Sequence, residues 1–73
     1  MIKEGTIVTI KMSEALRFER LAKLAGREAE VIEVLTSIQR VNKGYLVRLT
    51  EECYLGEDIW FIPQESIEDE EQG

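Results

Sequence analysis

The stretch WFIPQESI, residues 60–67, combines the end of a strand, a residue that stops the strand and a tight turn. Alternating bulky side chains up to Ile62 are typical of a strand, and Pro63 ends the hydrogen-bond ladder because proline has no N–H. The next three residues can make a single turn that returns Ile67 to the sheet as a short final strand. The stretch therefore predicts a small β-domain whose chain rejoins the sheet after Pro63.

Alternation divides the side chains of this predicted strand between two faces. We assign Ile59 and Phe61 to the core, which leaves Trp60 on the opposite face. Two interpretations of Trp60 stay open. Together with Tyr45 or Tyr54 it forms an aromatic surface patch that anchors a partner, or it is covered by another element or a second subunit. Trp60, Tyr45 and Tyr54 are therefore candidate partner-binding residues.

Three more strands are predicted upstream. The segment GTIVTIKM (5–12) has the β-branched alternation of a first strand. Residues 28–38 fit a helical face as well as a strand, and we favour the strand because a glycine precedes it and turn residues follow it. The turn at 42–44 predicts a hairpin into YLVRLT (45–50), with Gly44 in the left-handed conformation.

A helix is predicted at residues 14–25, between the first and second strands. Ser13 is a good N-cap, and Gly26 suits the position that follows a helix C-terminus. Phe18 and Leu21 lie on one helical face with two alanines at matching spacing. We expect Phe18 and Leu21 to be buried, closing one end of the β-domain; the alternative is that Phe18 is exposed and this segment is an arm that awaits a partner.

Two parts of the chain resemble known small barrels. WFIPQESI is similar to the end of Src homology 3-like barrels, in which the fourth strand leads into Pro, one 3₁₀ turn and a last strand. The first half is similar to the related KOW-type barrels at six positions, Gly5, Val8, Ile10, Gly26, Ala29 and Val31. The resemblance implies a mainly β fold, a small five-stranded Src homology 3-like barrel over residues 1–68. The helix near 14–25 would then be an insertion after the first strand.

The ligand-binding residues of eukaryotic Src homology 3 domains do not carry over to this chain. Those domains bind Pro-rich helices with a Tyr-rich first stretch, paired Trp residues and a Tyr after the Pro. Here Trp60 is the single Trp, and Ser66 stands where that Tyr is expected. KOW-type barrels often bind RNA or ribosomal proteins through basic loops, so the resemblance implies a nucleic-acid-associated role as an alternative.

Charge is distributed unevenly along the chain. Fifteen Asp and Glu against nine Lys and Arg give a formal net charge of −6. That excess disfavours a surface that binds nucleic acid over a wide area. We predict residues 69–73 to be an acidic disordered tail. Basic residues, by contrast, concentrate around the predicted helix, where Arg17, Arg20 and Lys23 recur every three residues; they form a solvated face or a docking stripe for an acidic partner or nucleic acid.

The residues needed for several chemistries are absent from the chain. It has no His, so catalysis or metal binding through imidazole is excluded. Cys53, the single Cys, lies between Glu52 and Tyr54; the acidic neighbour disfavours a nucleophilic thiolate, and we expect a half-buried structural thiol. The carboxylates lack the spacing of a calcium loop. We therefore predict no enzyme activity, no cofactor and no metal.

These features predict a small non-enzymatic binding or accessory module. We expect another protein as the partner, and the alternative is a KOW-like nucleic-acid- or ribonucleoprotein-associated module that uses the basic face of the helix. A homodimer is also open. No apolar run approaches the length that crosses a bilayer, so a cytoplasmic location is expected.

Overall fold

A computed structural model describes residues 2–67, and these form a mainly β structure with little helix. The predicted disorder of residues 69–73 concerns a segment outside the described residues. Four strands make one open antiparallel sheet in the order β1-β2-β3-β4. The elements along the chain are β1 (Ile7–Thr9), α1 (Glu14–Phe18), a first 3₁₀ turn (Ala22–Leu24), β2 (Glu28–Leu35), β3 (Gly44–Leu49), β4 (Ile59–Pro63) and a second 3₁₀ turn (Gln64–Ser66).

The ambiguous segment after Gly26 is a strand over Glu28–Leu35, as favoured from its neighbours. It pairs with β1 over residues 28–30 and with β3 over residues 29–35, so the first part of β2 has backbone partners on both sides. A shift in the register between Val31 and Glu33 interrupts the pairing with β3. Such irregularities bend a strand, and this one separates the part of β2 that pairs with β1 from the part that pairs with the beginning of β3.

The helix is much shorter than the predicted 14–25, because α1 ends at Phe18. Leu16, Leu21 and Leu24 are all buried in the core. On one continuous helix the first two would point about 140° apart, at about 100° per residue. The chain instead breaks at Arg20, whose φ is 65°, and resumes as a 3₁₀ turn. Burial of all three leucines therefore outweighs continuation of the helix.

Ser13 begins α1 and also ties it to the end of the sheet. Its Oγ accepts a hydrogen bond from the N–H of Leu16 at 3.1 Å, as an N-cap residue does. The same Oγ lies 2.6 Å from the Oγ of Ser66, which is fully buried in the second 3₁₀ turn. α1 thereby packs against β4 and that turn.

The chain after Pro63 makes the predicted single turn and returns to the first strand. The return consists of one isolated bridge between Ile10 and Ile67 and a 2.7 Å hydrogen bond from the Lys11 N–H to the Ser66 carbonyl. Both isoleucines are buried. Ile10 lies after the last residue of β1, so this bridge does not lengthen β1. The described residues therefore contain four strands.

The assignment of faces in β4 is the reverse of the prediction. Ile62 is fully buried, whereas Ile59 is exposed and Phe61 is half-buried. The reason is the register with β3, in which Val47 lies opposite Trp60 and Tyr45 opposite Ile62. Cross-strand partners share a face, and Val47 is fully buried in the core. Trp60 and Ile62 are therefore on the core side.

Gly44 does not take the left-handed conformation predicted for it. It is the first residue of β3 and is buried opposite Pro63. A Cβ on this residue would overlap the carbonyl oxygen of Ile62 and lie 2.6 Å from Cζ of Phe61. Glycine is needed here because β4 and the Phe61 ring approach the backbone of β3 closely.

Candidate functional site

A groove of about 300 Å³ lies where α1, the end of β4 and the segment before β3 meet. α1 and the residue after it provide one side, and residues 41–43 provide the other. The end of β4 and the second 3₁₀ turn complete it. The lining residues are Ala15, Phe18, Glu19, Val41, Asn42, Lys43, Phe61, Pro63, Gln64 and Glu65.

The two most exposed apolar side chains of this groove are Phe18, 89% exposed, and Val41, 93% exposed. The predicted burial of Phe18 is wrong for a geometrical reason. α1 turns Leu16 into the core, and a residue two positions later points about 200° away, toward solvent. The Phe18 side chain therefore lies on the solvent-facing side of α1 and does not pack in the core.

Phe61 continues the apolar surface from Phe18 onto the sheet. Its side chain occupies the outer face, and the lack of a side chain at Gly44 leaves room for the ring. The guanidinium carbon of Arg40 lies 5.9 Å from the ring centroid, within the range of a cation–π contact. Phe61 is thus held between the sheet and a cation and is preorganised for contact with another apolar group.

Hydrogen bonds hold the segment that carries Val41. The Arg40 N–H donates to the Ser37 carbonyl at 2.9 Å, and its Nε donates to the Asn42 carbonyl at 3.0 Å. Nζ of Lys43 donates to the Arg40 carbonyl at 3.1 Å. The backbone on both sides of Val41 is therefore fixed while its side chain remains exposed.

A second groove, of about 610 Å³, adjoins the first at α1. It is lined by Glu14, Ala15, Arg17, Phe18 and Glu65. Ala15, Phe18 and Glu65 border both grooves, and Phe18 is the large apolar side chain among them. The charged residues that line the two grooves are the carboxylates Glu14, Glu19 and Glu65 and the cations Arg17 and Lys43.

The three predicted aromatic site residues lie beside the core and away from these grooves. Trp60 and Tyr54 are in ring contact, with centroids 5.6 Å apart and planes tilted by 59°. The Trp60 indole N–H donates to the Glu57 carbonyl at 3.0 Å. Both residues and Tyr45 are partly buried against the core. Their role in binding a partner stays a prediction.

The three predicted cationic site residues do not form a stripe on one helix. Arg17 is in α1, Arg20 is at the left-handed break, and Lys23 is in the first 3₁₀ turn. All three side chains are exposed. Because α1 ends at Phe18, the spacing of three residues does not place the three side chains on one helical face. Of the three, only Arg17 borders a groove.

Cys53 also differs from its prediction as a half-buried thiol. Its side chain is exposed in the connection between β3 and β4. Across residues 2–67, no group of three or more His, Cys, Asp or Glu side chains is arranged to hold a metal ion. No helix within the same residues is long and apolar enough to cross a membrane.

Comparison of the chain with protein-family models, with curated proteins and with solved structures finds no match.

Proposed function

We propose that this chain is a small Src homology 3-like barrel that acts as a non-enzymatic protein-binding module. Its partner occupies the groove of about 300 Å³ that Phe18, Val41 and Phe61 line. The observation that carries the proposal is the 89% exposure of Phe18 next to Phe61 and Val41. Covering a Phe side chain is worth about 1.5–3 kcal/mol. Aromatic side chains that fill pockets dominate protein interfaces.

The barrel is supported by the return of the chain after the second 3₁₀ turn. The Ile10–Ile67 bridge and the hydrogen bond from Lys11 to Ser66 connect the end of the sheet order to its beginning. In the proposed barrel this bridge is the first pair of a fifth strand. α1 and the first 3₁₀ turn are the insertion after the first strand, and the insertion carries Phe18.

A protein partner is favoured over nucleic acid by the charges around the groove. Nucleic-acid affinity depends on clustered cations that neutralise phosphates. Here the charged residues that line the groove are Glu19, Glu65 and Lys43, with Arg40 over the Phe61 ring, so the charges are mixed; Arg20 and Lys23 do not line it. A groove that combines apolar and polar side chains in equal number suits the surface of another protein.

Site-specific photo-crosslinking in cells tests this function. We expect a benzophenone amino acid at position 18 to give a discrete crosslinked protein band. The matched control is the same amino acid at position 55, since Leu55 is 77% exposed but lies in the connection before β4, at the opposite end of the β3–β4 hairpin from the groove. Equal crosslinking at both positions, or a nucleic-acid adduct at position 18, would contradict the proposal.

A further inference from the structure

One residue from each strand forms a row across the outer face of the sheet. Ile7 pairs with Glu30, Glu30 pairs with Arg48, and Arg48 pairs with Ile59. Cross-strand partners share a face, so the four side chains lie on the same side of the sheet. The residues before and after Glu30 and Arg48 along their strands are buried in the core. The row therefore points away from the core.

The row is open to solvent although both of its ends are apolar. Ile7 is 52% exposed and Ile59 is 38% exposed, and the Arg48 side chain between them is exposed as well. α1 and the first 3₁₀ turn place Leu16 and Leu24 in the core, so these elements pack on the inner face. Covering the apolar ends of the row would remove their side chains from water, which is favourable.

Acidic and basic residues of the outer face are separated by the boundary between β2 and β3. β1 and β4 contain no charged residue, β2 carries the carboxylates, and β3 with the segment before it carries the cations. Arg40 belongs to the basic side because it lies over the Phe61 ring, and Lys43 donates to the Arg40 carbonyl at 3.1 Å. The carboxylates are Glu28, Glu30 and Glu33, and the cations are Arg40, Lys43 and Arg48. The charges of this face are therefore balanced in number and separated in position.

This arrangement is complementary to itself. A two-fold axis that runs parallel to the strands, above the boundary between β2 and β3, brings β2 of one copy over β3 of the other. Residues paired in the register lie at the same level along the strands, so Glu30 of each copy meets Arg48 of the other. Ile7 of each copy likewise meets Ile59 of the other. A symmetric dimer requires such a match of one patch with itself, whereas a partner of different sequence does not.

We propose that the outer face of the sheet is the interface of a homodimer, in which a second copy of this chain packs face to face about this axis. The inference goes beyond the proposed function, because no residue of the row lines the groove of about 300 Å³. Packed sheets cross at about 30°, and the residues beside the axis, Glu30 and Arg48, are displaced least by that rotation. The alternating charges of these residues determine the orientation of the two copies.

The dimer is expected to be weak. Exposed carboxylates at positions 51, 52, 57 and 58 lie beyond one end of the sheet, and the axis brings the same end of both copies to one side. Their repulsion opposes the central contacts, so we expect a Kd of about 10–100 µM, in the range of small transient interfaces. Unfolding measured at about 1 µM then reports on the single chain.

Sedimentation equilibrium of the full chain over about 1–500 µM, at about 0.15 M salt, measures the association. Arg48→Glu gathers carboxylates around the axis and should weaken dimerisation at least about tenfold, as should Glu30→Arg, which gathers cations. Lys23→Glu changes the net charge as Arg48→Glu does, but it lies in the first 3₁₀ turn and should change the Kd less than about twofold. An equimolar mixture of Arg48→Glu and Glu30→Arg chains should form a heterodimer, because an acidic pair then faces a basic pair.

The mixture decides the proposal, since contacts within one chain cannot restore association between two different variants. A wild-type chain that stays monomeric throughout the range, or a mixture that stays monomeric, would overturn the dimer. Equal weakening by Lys23→Glu and Arg48→Glu would overturn it as well, because net charge would then explain both. ¹H–¹⁵N spectra verify that the variants fold. If either single variant does not, a chain with both substitutions should dimerise within about threefold of the wild-type Kd, and its failure to do so would overturn the interface.

The alternative occupant of the outer face is a different protein. A benzophenone amino acid at position 59 should crosslink the chain to a second copy of itself. A crosslink to a different protein alone would overturn the homodimer. Phe18→Ala should leave the Kd unchanged within about twofold, as for a distant position, and loss of the dimer in this variant would overturn the outer face as the interface. A monomeric chain that still gives a discrete crosslink at position 18 would overturn the dimer and leave the groove function supported.

Discussion

Replacing Ile62 with Ala is expected to lower the free energy of unfolding by about 3–4 kcal/mol, as for other fully buried aliphatic residues. Ile62 is 0% exposed and lies opposite Tyr45 in the register that joins β3 to β4. Its removal leaves a cavity where the sheet packs against the core. Urea denaturation followed through Trp60 fluorescence measures the loss, since Trp60 is the single indole.

The matched control is Ile59→Ala on the same strand. Ile59 is 38% exposed on the outer face, so its truncation should cost less than about 1 kcal/mol. The two substitutions remove the same atoms from positions three residues apart. If Ile59→Ala costs as much as Ile62→Ala, or more, the face assignment of β4 is wrong.

Gly44→Ala is the second substitution with a large expected effect, a loss of about 3 kcal/mol. The added methyl group would overlap the carbonyl oxygen of Ile62 and crowd the Phe61 ring. The first contact is with backbone, so relief requires β3 and β4 to separate at this pair. Overpacking of this kind typically costs about 1–3 kcal/mol, and the backbone contact places this case at the upper end.

Gly5→Ala is the control that distinguishes the cost of this contact from the general cost of replacing a glycine. Nothing lies within 4 Å of a Cβ at Gly5, whose φ is 89°. Its replacement should cost only about 1–2 kcal/mol, the strain of a left-handed alanine. Equal losses at the two positions in thermal or urea unfolding would show that the close approach of β4 is not what requires glycine at position 44.

Local patterns were sufficient to locate the four strands, but β1 and β2 are shorter than the predicted 5–12 and 28–38, and the predicted last strand is a single bridge at Ile67. Alternation located β1 and β3, the preceding glycine and the following turn residues favoured β2 as a strand, and Pro63 marked the end of β4 because proline cannot donate to a ladder. Ser13 was correctly predicted as an N-cap. These features depend on residues close in sequence, where the physical constraint is strong.

The length of α1 and the faces of β4 depended on contacts distant in sequence. Bulky apolar residues lie on both faces of segment 59–62, so alternation alone could not show which face of β4 packs on the core. The helical spacing of Phe18 and Leu21 suggested one buried face. The core instead receives Leu16 and Leu21, which only a break at Arg20 allows.

That Phe18, Val41 and Phe61 line one groove was not predicted from the sequence. Phe61 was assigned to the core and Phe18 to the closure of one end of the β-domain, and Val41 was not singled out. The apolar character of a residue does not show whether its side chain faces the core or solvent. These three residues also come from separate parts of the chain. The signal that could have located Val41 is its position directly before the polar turn residues Asn42 and Lys43, where no strand face covers it.

The central claim is that Phe18 is presented to a partner and does not support the fold. The most direct test is the free energy of unfolding of Phe18→Ala, measured beside Leu16→Ala on the same short helix. We predict that Phe18→Ala changes it by less than about 0.5 kcal/mol, as at an exposed position, while Leu16→Ala costs about 2–5 kcal/mol. A loss of about 3 kcal/mol for Phe18→Ala would show that the ring is buried and would contradict the account.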